Sequence, residues 1–354
     1  MNKMLQRMIN GSMLFVVIAM VFIFITNTKT VNAETIEMEP NNNFQNAQEV
    51  VLGEQYNGVV EDVGGVDDED YFKIVLKEGQ FCKITVFNLE DLNEVKWETM
   101  LAELCTDSNT GNAYGLHASY RESVTKLFRA SYTGNYYMHF YNTGKSKYSF
   151  IVEDYNPVGK MVKDSDSNLY KITSDNTLEF AKIASKKATS HYFIGTKSFS
   201  DIDGIDMLNS YDANFTVTSI GKNAFKGSNL KSISISDDVK KIGVGAFQNC
   251  KKLGTEEYVM GVVIHGKNVV IEKDAFKGCK NLGTLRVLKS ASVKTVKKNA
   301  FKGTKKGIRI EVPNVKKYKK IFKNAGVRNP KYSKSYMWIY FYWKQEFVSL
   351  DSNY

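Results

Sequence analysis

The side chains able to do chemistry are unevenly spread along these 354 residues. The densest run is Asp67-Asp68-Glu69-Asp70, four carboxyl groups in succession ahead of Tyr71-Phe72. Clustered carboxylates can exchange protons or offer hard oxygens to calcium, which takes about six to eight of them. A solvated acidic turn explains the same run without any ion. His117, His139, His191 and His265 stand apart, and His139 falls inside an aromatic stretch where a packed side chain is expected. There is no His-Glu-x-x-His helix, Gly-x-Ser-x-Gly elbow, phosphate-cradling glycine loop or Cys-His arrangement. No catalytic residue is assigned, and calcium is the single cofactor candidate.

Alternating aromatic and β-branched stretches would have to position the acidic run. Tyr71–Leu76, Phe81–Phe87, Asn135–Tyr141 and Tyr148–Val152 read as strands, with Gly79, Gly134 and Gly144 at turns. Such strands predict a β-sandwich over residues 34–156. Glu37-Met-Glu39-Pro40-Asn41, Asp68-Glu-Asp70-Tyr71-Phe72 and Gly134-Asn-Tyr-Tyr137 together resemble the bacterial pre-peptidase C-terminal domain. That family is a non-catalytic accessory module of secreted enzymes. The resemblance implies a calcium site, because collagen-binding relatives hold the ion near the Glu-x-Glu-Pro-Asn segment. The matching positions are Glu37, Glu39 and Asn41, with Asp68 and Asp70 as further candidates. Collagen binding is not carried over, since no ligand-reading residue matches.

The second half is organised by a loop that recurs four times around an Ala-Phe pair: Ile220–Gly227, Ile242–Asn249, Ile271–Gly278 and Val296–Gly303. The steps between Phe225, Phe247, Phe276 and Phe301 are 22, 29 and 25 residues, the period of a coil made from short strands and turns. A short apolar leg precedes each loop, and an alternating one such as Leu230–Ile235, Leu282–Val287 or Ile308–Val312 follows. One coil cannot bury its own apolar side, so coils are expected to stack with the phenylalanines as plugs. The pattern I-G-x-x-A-F-x-G/N-C-x-x-L resembles the BspA-like leucine-rich repeats of bacterial and protist surface proteins, over roughly residues 160–330. The expected fold is therefore mainly β: an N-terminal β-sandwich, then a short leucine-rich-repeat β-solenoid with a C-terminal capping helix. Val315, Tyr318, Ile321, Phe322 and Ala325 share one face of that helix, with Gly326 as its C-cap. Cys250 and Cys279 recur at one place in successive coils, where rungs ~4.8 Å apart let two thiols stack or bond. Residues 254–261 are an insertion expected to bulge from the coil.

Residues 1–33 carry Lys3 and Arg7, the apolar run Leu14–Ile25 and the small-residue end Val31-Asn32-Ala33, a secretory signal peptide with the mature chain starting at Glu34. The apolar run is shorter than the ~20 residues of a membrane span. Charge then splits the chain. Residues 34–156 hold 9 Lys/Arg against 21 Asp/Glu, net −12, and residues 215–334 hold 28 against 7, net +21. That asymmetry predicts separate domains: a signal peptide (1–33), a sandwich (34–156), a joining and capping segment (157–214), repeats with a capping helix (215–330) and an aromatic tail (331–354).

Lysines at equivalent places in stacked coils should form stripes that attract polyanions. Lys231, Arg286 and Arg309, on or beside the alternating strands, are the candidate ligand-binding residues. The partner expected is an extracellular protein, glycan or anionic cell-wall polymer. Nucleic acid is not expected, given the export signal and the lack of interleaved stacking aromatics. Plain solubility and protection of strand edges by lysine account for the same composition without a ligand. Two function classes follow: a secreted or cell-surface, non-catalytic binding or adhesion protein, and an accessory module of a secreted hydrolase system or an unrecognised exported hydrolase.

Overall fold

The computed structural model describes residues 35–61, 69–89, 101–106, 113–119, 121–141, 145–186, 192–209, 213–255 and 261–335. The expected leader, Asp68, His191, the centre of the 254–261 insertion and the aromatic segment 337–343 lie outside the described residues. The chain divides into two compact units. The first holds the described residues of Met1–Val75, Ile84–Val124 and Asn135–Asp154; the second holds Leu76–Lys83, Thr125–Gly134 and the chain from Tyr155 onward.

Two five-stranded sheets form the sandwich that the alternation predicts. One takes, in spatial order, Thr35–Ile36, Gln55–Glu61, Lys145–Tyr155, Phe81–Asn88 and Ser123–Arg129. The other takes Gln48–Glu49, Glu69–Leu76, Gly134–Tyr141, Leu101–Thr106 and Tyr114–Gly115. Phe72 and Ile74 are fully buried while Val75 is exposed, as a strand with one wet face requires. Aromatic rings fill the space between the sheets: Phe140 and Tyr148 stack at 3.9 Å, and Phe72 meets Phe150 edge-on at 4.8 Å.

In the second unit the chain winds through two ladders. A seven-stranded sheet takes Met161–Lys163, Leu169–Ile172, Thr177–Lys182, Thr216–Ile220, Lys241–Ile242, Val269–Ile271 and Val293–Val296. A six-stranded sheet takes Tyr192–Ile194, Ile233–Ile235, Val262–Ile264, Thr284–Val287, Arg309–Val312 and Lys331–Lys334. Register sets like on like. Ile220, Ile242, Ile271 and Val296 align along the first ladder, and Ile233, Val262, Leu285 and Ile310 along the second.

The Ala-Phe loops connect the ladders, and their rings form one continuous stack. Phe225, Phe247, Phe276 and Phe301 follow one another at 4.9 Å, with interplanar angles of 12°, 3° and 17°. Phe180 extends the stack at one end, 4.5 Å from Phe225, and Phe322 at the other, 5.4 Å from Phe301. The residue before each alanine has positive φ: Asn223 at 59°, Gly245 at 62°, Asp274 at 59° and Asn299 at 62°. Glycine and short polar residues enter that region at least cost, which explains why only Asn, Gly and Asp stand there. Successive loops are also bonded, since the amides of Phe225, Phe247 and Phe276 donate to the carbonyls of Ala246, Ala275 and Ala300 at 2.7 Å.

An antiparallel hairpin of Met161–Lys163, Leu169–Ile172 and Thr177–Lys182 covers the first end of the stack. Its corner is a polar knot in which Asp164 accepts from Asn168 at 3.1 Å and from the Tyr170 hydroxyl at 2.9 Å. The helix Val315–Ile321 covers the other end, with Asn314 Oδ1 accepting the Lys317 amide at 2.9 Å as its N-cap. It stops with Phe322 as C-cap, short of the expected Gly326. Phe322 enters the ring stack, and Ala325 returns to a loop-like bond, its carbonyl accepting from Phe301 N at 2.7 Å. A continuous helix could not supply both. The buried Tyr318 hydroxyl accepts the Val293 amide at 3.0 Å. Tyr318→Phe should lower stability by about 1–3 kcal/mol, because that buried amide loses its acceptor. Urea titration of both proteins measures the difference, and an unchanged midpoint would mean the hydroxyl is dispensable. Among the described residues no helix is long and apolar enough to cross a membrane.

Candidate functional site

Of the sequence-predicted acidic residues, Glu37, Glu39 and Asp70 come together. Glu37 follows strand Thr35–Ile36, which pairs with Gln55–Glu61, and its amide donates to Asn57 O at 3.1 Å. This places Glu37 Oε1 to accept the Val59 amide at 2.8 Å. Asn41 is held to the neighbouring strand through its carbonyl, which accepts from Tyr71 N at 2.9 Å. Glu37, Glu39 and Asp70 thereby offer carboxylate oxygens that all lie within 4.8 Å of one another. The Tyr148 hydroxyl reaches in from a strand distant in sequence, 2.6 Å from Asp70 Oδ2 and 2.9 Å from Glu37 Oε2. Asp68 lies outside the described residues.

Three carboxylates this close cannot all stay ionised without a counterion or added protons. Burial, joined by the charges of Glu37 and Glu39, pushes Asp70 up to about 9, although the Tyr148 hydroxyl opposes the rise. Burial, then the Asp70 and Glu37 charges, drives the Tyr148 phenol well above its ordinary value, so it stays a donor. One phenolic proton must serve two carboxylates, which leaves a further proton or a cation to balance the rest. The Asn41 amide is fully buried, 3.0 Å from both Asp70 Oδ1 and Glu39 Oε2. Its nitrogen turned inward donates to both; its oxygen turned inward adds a neutral ligand to the three acids. Gly58 leaves room for both groups, because a Cβ there would meet Tyr148 Oη and Glu37 Oε2 where they now stand. The donor set is all oxygen, the ligand chemistry that calcium takes.

A second polar group on the same sandwich has no sequence signature. His139 Nδ1 lies 3.0 Å from Glu103 Oε1 and Nε2 lies 3.1 Å from Glu69 Oε2. The ring is stacked on Tyr71 at 4.2 Å and Tyr141 at 4.7 Å. Both nitrogens are occupied by carboxylates, so this histidine is a packed, half-buried bridge across three strands, with neither nitrogen left for a substrate proton.

All four cysteines are buried and none is in a disulfide. Cys250 and Cys279 stack without forming a disulfide: their thiols donate to Phe225 O at 2.9 Å and Phe247 O at 3.0 Å, one coil back. Burial raises Cys279 far above the ordinary thiol range, and pushes Cys105 up to about 12, so neither is a reactive thiolate.

The candidate solenoid residues occupy three different rows. Arg286 aligns with Val263 and Glu311, and its Nε donates to Glu311 Oε2 at 2.6 Å. Arg309 is exposed and aligns with Thr284 and Lys331, whereas Lys231 is half-buried ahead of its strand. Alignment of the repeats instead builds two lysine columns on the Ala-Phe loop edge. One follows the phenylalanine, at Lys226, Lys277 and Lys302; the other follows the Cys/Thr position, at Lys251, Lys280 and Lys305. The carbonyls of Gln248, Lys277 and Lys302 accept from Gly227, Asn249 and Gly278 at 2.8, 2.8 and 2.9 Å, which fixes the first column's register.

Residues 175–258 and 256–329 match the BspA type leucine rich repeat region, in six copies. Among curated proteins nothing matches the chain. Among solved structures, the chain is similar to a pre-peptidase C-terminal domain of collagenase from Bacillus anthracis, at 20% identity and TM-score 0.24, covering 30% of this chain and 94% of that one. It is also similar to a leucine-rich repeat protein from Bacteroides capillosus, at 18% identity and TM-score 0.30, covering 49% of this chain and 99% of that one. Residues 175–329 thus match the BspA type leucine rich repeat region and fold as stacked, in-register coils.

Proposed function

We propose that this is a secreted or cell-surface, non-catalytic recognition protein whose basic solenoid binds an extracellular glycan, cell-wall polymer or protein. The observation that carries the reading is a rod of in-register coils whose lysines fall in columns on one edge. Aligned charge gives a long-range field that draws anionic partners and speeds encounter. Arg309, exposed on the six-stranded sheet, adds to that field, while Arg286 is already engaged by Glu311. Calcium belongs to the first unit in this reading. Glu37, Glu39, Asn41 and Asp70 would hold it, and the ion would neutralise their charge.

The test is binding of the mature chain to glycan and extracellular-matrix arrays at low and raised salt. Binding to an extracellular polymer that weakens as salt rises is expected. Failure to bind any arrayed ligand at either salt would overturn the recognition reading.

A further inference from the structure

We infer that the Ala-Phe loop edge of the solenoid docks a linear phosphodiester polymer with a flexible polyol spine, laid along the stacking direction. This rests on the recognition reading above and adds which edge binds and what it takes. The coils repeat every 4.9 Å along the phenylalanine stack, so the two lysine columns present ammonium groups at intervals set by that spacing. Gln248 interrupts the first column, while the second runs through three consecutive coils at Lys251, Lys280 and Lys305. Among the described residues, none of Lys226, Lys251, Lys280, Lys302 and Lys305 has a carboxylate within ion-pair distance; Lys277 meets Asp274 at 3.7 Å. Five of the six lysines on this edge therefore carry charge that no carboxylate among the described residues neutralises.

The residue types narrow the partner. The cationic residues of both columns are all lysine, with no arginine among them. A lysine ammonium binds phosphate as a compact point charge and makes no demand for the flat, two-pronged geometry that arginine reads. The aromatic rings of these loops are fully buried at Phe225, Phe247, Phe276 and Phe301. Those rings offer no exposed face on which nucleobases or sugars could stack, the usual second component of single-stranded nucleic-acid grooves. A spine without rings, carrying one negative charge per unit, meets both conditions.

The experiment uses the mature chain with three polymers: poly(glycerol phosphate), heparin and a single-stranded oligonucleotide. Poly(glycerol phosphate) is expected to bind most tightly, with affinity falling steeply as salt is raised. The triple variant Lys251→Gln, Lys280→Gln, Lys305→Gln should weaken that binding at least tenfold. A charge-matched variant, Lys241→Gln, Lys289→Gln, Lys294→Gln, removes the same charge from exposed positions outside the loop edge and should change it less than twofold. All six side chains are exposed, and equal melting temperatures check that both variants fold. Equal weakening by the two variants would overturn the edge assignment, and tighter binding of heparin or the oligonucleotide would overturn the choice of polymer. If poly(glycerol phosphate) does not bind while an arrayed ligand does, this inference fails and the broader recognition reading stands.

Discussion

Replacing Phe247 by alanine is expected to cost about 3–5 kcal/mol of stability, the range for removing a fully buried phenylalanine. Its ring is enclosed on both faces, 4.9 Å from Phe225 and 4.9 Å from Phe276, and no part of the residue is exposed. Truncation removes two stacking partners at once and leaves a gap that neither neighbour can close without breaking its own loop-to-loop bonds. In a stacked array each coil is stabilised chiefly by its neighbours, so a defect in the middle weakens both halves. Val244→Ala is the control: that side chain is 40% exposed, and its loss should change stability by less than about 0.5 kcal/mol. Urea unfolding of both variants against the parent decides the matter. A loss below about 1 kcal/mol for Phe247→Ala would mean the rings are incidental to what holds the coils together.

Without calcium, stability is expected to fall as pH rises from about 4 towards 9. Asp70 is raised from 3.8 to about 9 in the folded state, by burial first and by the Glu37 and Glu39 charges. Between those values the folded chain keeps a proton that the unfolded chain has released. The folded state then binds more protons, so raising pH favours unfolding, with a limiting slope of about 1.4 kcal/mol per pH unit for one proton. The stabilisation is complete below the unfolded value and lost as pH passes through the folded one. Asp70→Asn, which cannot release that proton, should flatten the slope. Saturating calcium should flatten it too, because a bound cation replaces the proton as the balancing charge. Thermal melts at pH 5, 7 and 8.5, with chelator and with calcium, read both effects. A slope unchanged in Asp70→Asn would remove Asp70 as its source, and melts indifferent to calcium at every pH would remove the metal from the proposal.

The solenoid was legible in the sequence because its physics is local and repeated. Each coil needs a left-handed residue before the alanine, a ring to fill the interior and a turn at the exit. Asn223, Gly245, Asp274 and Asn299 therefore recur in phase with Phe225, Phe247, Phe276 and Phe301. The ends of the stack were not legible in that way. Phe180 sits in a hairpin strand and Phe322 at a helix end, and each joins the stack only because those caps fold across it. The expected helix end failed for the same reason: Gly326 looks like a C-cap in isolation, yet the ring stack draws the chain out of the helix at Phe322.

The acidic cluster shows the same division. Glu37, Glu39 and Asn41 lie close together in the chain, and Asp70 falls in a conspicuous acidic run, so their chemistry could be read from spacing and resemblance. Tyr148, which reaches both Glu37 and Asp70, and Gly58, which clears the space beside them, had no such signal. Nor did the capture of Arg286 by Glu311, or the seating of His139 between Glu69 and Glu103. By itself the sequence determined the coil, its plugs and the opposite charge of the two halves, because side-chain size, backbone handedness and charge are properties of each residue in place. Which distant groups share a proton, cover an end or cancel a charge was decided only by the tertiary structure, because hydrogen bonds and ion pairs act over a few ångströms and only folding brings separated residues that close.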